Sequence, residues 1–134
     1  MKRIMFIKIC FLIGFAVDLL AVLPLLFPDV ASLMFGLDLR KANSSYLYVS
    51  RIGASLMLGW TFLLLWGSFK PVERKGILLL TLFPVVLGLA AASIFAVLSG
   101  EVGVRYVLPL WIFYAVITPI YILAYLFARK EANS

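Results

Sequence analysis

Apolar positions in this chain come in four long, predominantly apolar runs, separated by short polar interruptions. They do not recur at one in two or one in three to four, as they would in a strand or a half-buried helix. The first run, Ile9–Phe27, is 19 residues long. At about 1.5 Å per residue that length matches a hydrocarbon core of roughly 30 Å. The later runs, Tyr46–Phe69, Gly76–Ser99 and Val104–Phe127, are long enough to do the same. The basic head Lys2-Arg3 before an apolar stretch resembles a signal peptide. The run is too long for a signal core, however, and no small-x-small cleavage pattern follows, so it reads as a retained first span.

Between the first two runs, Pro28 and Asp29 interrupt, and Val30, Leu33, Met34 and Leu37 then recur at helical spacing. With Asp29 as N-cap and a stop near Gly36, this predicts a short helix lying along the interface. Asp38–Ser45 is the most polar segment and reads as an exposed loop. Tyr46, Tyr48 and Trp66 mark the two interfaces of helix 2. Lys70-Pro-Val-Glu-Arg-Lys-Gly and Gly100-Glu-Val-Gly are tight connections, and Pro24, Pro84, Pro109 and Pro119 are kink sites that membrane helices tolerate. The predicted fold is all-α and membrane-integral. It is an antiparallel bundle of four transmembrane helices, with an interfacial helix between helices 1 and 2, forming a single membrane domain over residues 1–134.

Composition strengthens the membrane reading: 65% of the residues are hydrophobic and 13% charged, with a mean hydropathy of +1.13. A soluble domain is roughly half apolar and a quarter charged. The net charge of +6 would suggest nucleic acid in a soluble protein, but here the basic residues flank apolar runs and act as topology signals. The partner they imply is the lipid bilayer, not nucleic acid. Lys2, Arg3, Lys8, Lys70, Arg74, Lys75, Arg129 and Lys130 fall on one side, and Arg40, Lys41, Arg51 and Arg105 on the other. That asymmetry puts both termini in the cytoplasm of a cell with the chain in its inner membrane. One cysteine, Cys10, and no histidine leave no internal disulfide, no ordinary haem or zinc site, and no Ser-His-Asp or Cys-His arrangement. No cofactor, metal or catalytic residue is expected.

Within the runs, polar and small residues form stripes that lipid cannot satisfy. Helix 1 lines up Cys10, Gly14, Asp18 and Ala21. Helix 2 offers Arg51, Ser55 and Gly59, with Gly53 beside them, and helix 3 offers Gly88, Ala92 and Ala96. Helix 4 offers Trp111, Tyr114, Thr118, Tyr121 and Tyr125. If the stripes converge, Asp18 and Arg51 meet, with Tyr114 or Thr118 donating, and Gly53, Gly59, Gly88, Ala92 and Ala96 carry close helix packing. An aspartate at mid-membrane costs about 2.5–3.5 kcal/mol on insertion scales, so it is expected to be paired or protonated. Two roles stay open for the pair: a structural lock between helices, or part of a ligand or proton site.

The segments Leu25-Leu26-Phe27-Pro28, Met34-Phe35-Gly36-Leu37, Tyr48-Val49-Ser50-Arg51-Ile52-Gly53 and Gly59, with the basic hairpin Lys70-Pro-Val-Glu-Arg-Lys, together resemble the DoxX-like group of small four-helix bacterial membrane proteins. The resemblance extends from helix 1 through Lys75. It implies an accessory or partner-binding role without agreed catalytic residues. The functional expectation is therefore a non-enzymatic accessory membrane protein, with a membrane-protein partner or a second copy docked on it and a small ligand in a partly polar interior. The alternative is a small dimeric proton-coupled transporter using Asp18, with Trp60, Tyr114 and Tyr121 as aromatic walls.

Overall fold

A computed structural model describes residues 2–36 and 43–133. Its elements are α1 (Lys2–Leu26), α2 (Pro28–Phe35), α3 (Ser44–Phe69), α4 (Gly76–Leu80), a π-turn (Thr81–Val86), α5 (Leu87–Leu98) and α6 (Val104–Ala132). No strand occurs among the described residues. Four helical stretches are long and apolar enough to cross a membrane: α1, α3, the composite Gly76–Leu98, and α6. The chain is a multi-pass membrane protein.

Helix ends differ from the expected ones because hydrocarbon thickness fixes the apolar run, not the helix. α1 begins at Lys2 and α6 runs to Ala132, since the backbone bonds continue through interfacial Lys, Arg and Glu, which are good helix formers. Asn43 caps α3, its side chain accepting the Tyr46 N–H at 2.8 Å. Asp29 is not the N-cap of α2. Pro28 occupies the first turn, where its missing N–H is harmless, so the extended Phe27 becomes the cap and Asp29 sits in that turn. Gly36 does end α2. It is left-handed at φ 66° and donates its N–H to the Ser32 carbonyl, with the Tyr106 ring of α6 against its Cα. Leu37 and most of the expected exposed loop lie outside the described residues.

The prolines have unequal effects. α1 and α6 continue through Pro24, Pro109 and Pro119. Around Pro84 the α ladder gives way to the π-turn, and Phe83 is extended at φ −129°, ψ 102°. Proline removes a donor and biases the preceding residue away from the helical region.

α1 and α3 pack along most of their length. The main core gathers Ile7, Cys10 and Phe11 of α1, Leu64 of α3, Ile77 and Leu78 of α4, and Ile117, Tyr121, Ala124 and Ala128 of α6. Gly67 is buried under the Phe11 ring, which lies where a Cβ would go. At the same end Arg3 pairs with Glu131 at 3.4 Å, and Phe6 meets Phe127 edge-on at 5.9 Å. Farther along, Ser50 of α3 donates to the Leu25 carbonyl at 2.5 Å. That carbonyl lies in the last turn of α1, which the helix itself leaves without donors.

Candidate functional site

On α1, Cys10 and Gly14 are buried and Asp18 and Ala21 half-buried, so the stripe expected for this helix does face the bundle. Tyr121 reaches it from α6 and donates its hydroxyl hydrogen to the Cys10 carbonyl at 3.0 Å. Gly14 makes that crossing possible, since a Cβ there would collide with the Tyr121 oxygen. One turn beyond Gly14, Asp18 borders a cavity of about 30 Å³ closed by Gly14, Thr81, Val86, Phe113, Ile117 and Tyr121. That is room for roughly one water. Thr81, carried in by the π-turn, donates to the Ile77 carbonyl at 2.8 Å and accepts the Trp60 indole N–H at 3.2 Å.

Asp18 is the anomaly in this arrangement. Its Oδ2 is buried and has no hydrogen-bond partner among the described residues. Tyr121 lines the same cavity. Burying a polar atom without a partner costs on the order of 1–3 kcal/mol, more for a charge. A carboxyl group left so exposed to its own desolvation can take up a proton, accept from a water, or receive a small donor ligand.

No family model, curated protein or solved structure matches this chain.

The expected Asp18–Arg51 pair is not formed. Arg51 and Ser55 are exposed, and the Ser55 hydroxyl donates to the Arg51 carbonyl on its own helix. The reason is helical phase. At about 100° per residue, the row Arg51, Ser55 and Gly59 lies on the side of α3 away from its buried positions, which are Ala54, Thr61, Leu64, Gly67 and Ser68. The same correction applies to the small residues. Gly59 and Gly88 have open space where a Cβ would go and Ala92 is exposed, while Ala96 is half-buried. Gly53 meets only a Leu25 methyl at 3.9 Å.

Helix 4 behaves as expected. Tyr121 is buried, and Trp111, Tyr114, Thr118 and Tyr125 are half-buried. Thr118 does not reach Asp18; it donates to the Tyr114 carbonyl at 2.7 Å. Trp111 donates its indole N–H to Ser93 at 2.8 Å. Sequence reasoning missed Thr81, Ser93 and Gly67. Thr81 and Ser93 were the polar residues inside the third apolar run, which was a usable signal. Gly67 gave none, because nothing local marks it as lying beneath a phenylalanine fifty-odd positions earlier.

Proposed function

We propose that the chain is a non-enzymatic accessory membrane protein whose interior site is the Asp18 cavity. The observation that carries this reading is the buried, partnerless Asp18 oxygen beside space for roughly one water. Such a site takes a proton, a water or a very small donor, and intramembrane carboxyls are functional candidates by default. Arg51, being outside, does not neutralise it.

The spans form an antiparallel bundle in this reading, which is supported by the Arg3–Glu131 pair joining the first turn of α1 to the last of α6. α2 lies along the interface, as its Pro28 start, Gly36 stop and exposed Leu33 and Met34 favour. The excess of basic residues on the side of the termini supports a cytoplasmic location for both, in an inner membrane. Membership of the DoxX-like group is part of the proposal and rests on the motifs of the first half. α5 buries no residue. Its outward Gly88 and Ala92 leave a smooth face for a membrane-protein partner or a second copy.

The second reading, a dimeric proton-coupled transporter, gains from the absence of an Arg51 partner. It is limited by size, because the cavity beside Asp18 is about 30 Å³. One experiment separates the two: infrared difference spectra of wild type against Asp18→Asn in nanodiscs over a pH series, with proton flux measured in proteoliposomes. The accessory reading expects a carboxyl signal that responds reversibly to pH, is lost in Asp18→Asn, and is not accompanied by cation-driven flux. Flux abolished by Asp18→Asn establishes the transporter, and a carboxylate inert across the series removes the site altogether.

A further inference from the structure

Beyond Asp18, on the side away from the packed core, the helices enclose a chamber of about 260 Å³. Five elements wall it: Pro24 of α1, Met34 of α2, Met57 of α3, Ser93 of α5, and Leu110 and Tyr114 of α6. A cleft of about 430 Å³ lies between α3 and the third span, bounded by Gly53, Leu56, Trp60 and Val85. Chamber and cleft share Leu25, Met57 and Leu89 in their walls, so the two adjoin. The helix is broken at Phe83-Pro84 beside the cleft, and beyond the break α5 packs on α6 more than on α3. Leu56 and Leu89 are exposed at its mouth, which therefore opens on the lipid-facing surface.

Among the described residues, no charged side chain borders either space. The few polar groups lie at the deep end. There Ser93 is already satisfied, accepting from Trp111 and donating to the Ala90 carbonyl. The Tyr114 hydroxyl has no hydrogen-bond partner among the described residues. Apolar cavities do not hold water, and unfilled space forfeits dispersion contacts. A free O–H deep in the membrane, reached through an apolar slot from the side, suits a head that goes in first while its chain trails back into the bilayer. A phospholipid does not suit it, because its charged head stays at the surface.

We propose that cleft and chamber form a lateral seat for a single-chain amphiphile with an uncharged hydrogen-bond-accepting head, such as a long-chain alcohol, held by the Tyr114 hydroxyl. This deepens the reading of the interior as a binding site by naming a ligand class, but it does not require Asp18 to exchange protons.

The test uses the full chain in nanodiscs and a bromine-tagged long-chain alcohol, whose bromine quenches Trp60 in the cleft wall. The quenched component is identified by its loss in Trp60→Phe. Wild type should show saturable quenching. Tyr114→Phe should weaken it by roughly 3- to 10-fold, the factor expected of one hydrogen bond. Gly53→Leu, which meets little on its own face, should plug the cleft and remove saturation. If that variant does not keep its helical signal, Tyr114→Phe decides alone. Equal binding of the matching bromoalkane, indifference to Tyr114→Phe, or competition by brominated phosphatidylcholine overturns the proposal, the last by assigning the slot to ordinary bilayer tails. Asp18→Asn should keep the quenching. If it does while the infrared signal of Asp18 proves inert, the proton-site reading falls and the amphiphile seat stands.

Discussion

The two ends of the bundle are built differently. Around the termini, Phe11, Leu64, Leu78, Tyr121 and Ala124 leave essentially no accessible surface. Toward the connection between α1 and α3, buried residues are scattered, with Val22, Ala31, Ala54 and Val107 outside the main cluster, and the chamber and cleft occupy the space between them. Both ends are equally apolar in sequence. The difference lies in shape: rings close over Gly14 and Gly67 within the main cluster at one end, and the third span is broken at Pro84 before it reaches the other. In a bilayer there is little hydrophobic drive between helices, so van der Waals fit decides which half is solid. The solid half anchors the helices, and the loose half has room for a ligand. Asp18 sits at the boundary.

The sharpest way to break this contrast is to add carbons at two glycines of the packed half that lie against rings and at two glycines that face open space. Gly14→Val drives branched carbons into the Tyr121 oxygen, and Gly67→Ala puts one into the Phe11 ring. Overpacking of this kind should destabilise each by about 1–3 kcal/mol. Gly59→Ala and Gly88→Ala meet nothing within the chain and should be neutral or stabilising by up to about 1 kcal/mol through helix propensity. Reversible denaturant unfolding in mixed micelles measures all four. If the two pairs come out alike, the division into a packed and a loose half is wrong.

A smaller effect is expected at the hydrogen bonds. Tyr121→Phe removes the donor to Cys10 while leaving the ring in place, and should destabilise by about 1 kcal/mol. Trp111→Phe, which removes the donor to Ser93 beside the chamber, should lose about 0.6 kcal/mol, the typical value inside membrane bundles. The same unfolding assay reads both. A larger loss for Trp111 would mean that the loose half is held by polar contacts more than by its packing.

Sequence reasoning reached part of this contrast. The four spans were legible because a predominantly apolar run of bilayer length has few other readings. The inward stripe on α1, with Cys10, Gly14 and Asp18, was legible because polar groups avoid lipid. The faces of α3 and α5 were not. In a helix apolar on all sides, a row of small residues is as compatible with the lipid-facing side as with the interior, and Gly59 and Gly88 face outward. The break at Pro84 was marked as a kink site, but its consequence, a cleft beside α3, depends on where α6 stands. Four prolines were treated alike although only Pro84 interrupts its helix.

The smallest expected effect concerns the pair that drew attention first. If Asp18 and Arg51 were partners, a double-mutant cycle with Asp18→Asn and Arg51→Gln would give a substantial coupling energy. Removing either member of a buried pair leaves the other uncompensated, which costs about 3–5 kcal/mol, and removing the second restores part of it. In this structure Arg51 is exposed and Asp18 faces a separate cavity closed by Thr81 and Tyr121. The two changes should therefore add to within about 0.5 kcal/mol. Arg51→Gln should also leave the infrared signal of Asp18 unchanged. A coupling above about 1 kcal/mol would bring Arg51 back to the interior. It would supply the missing partner of Oδ2, and the cavity beside Asp18 would then be a flaw in the lock instead of a site.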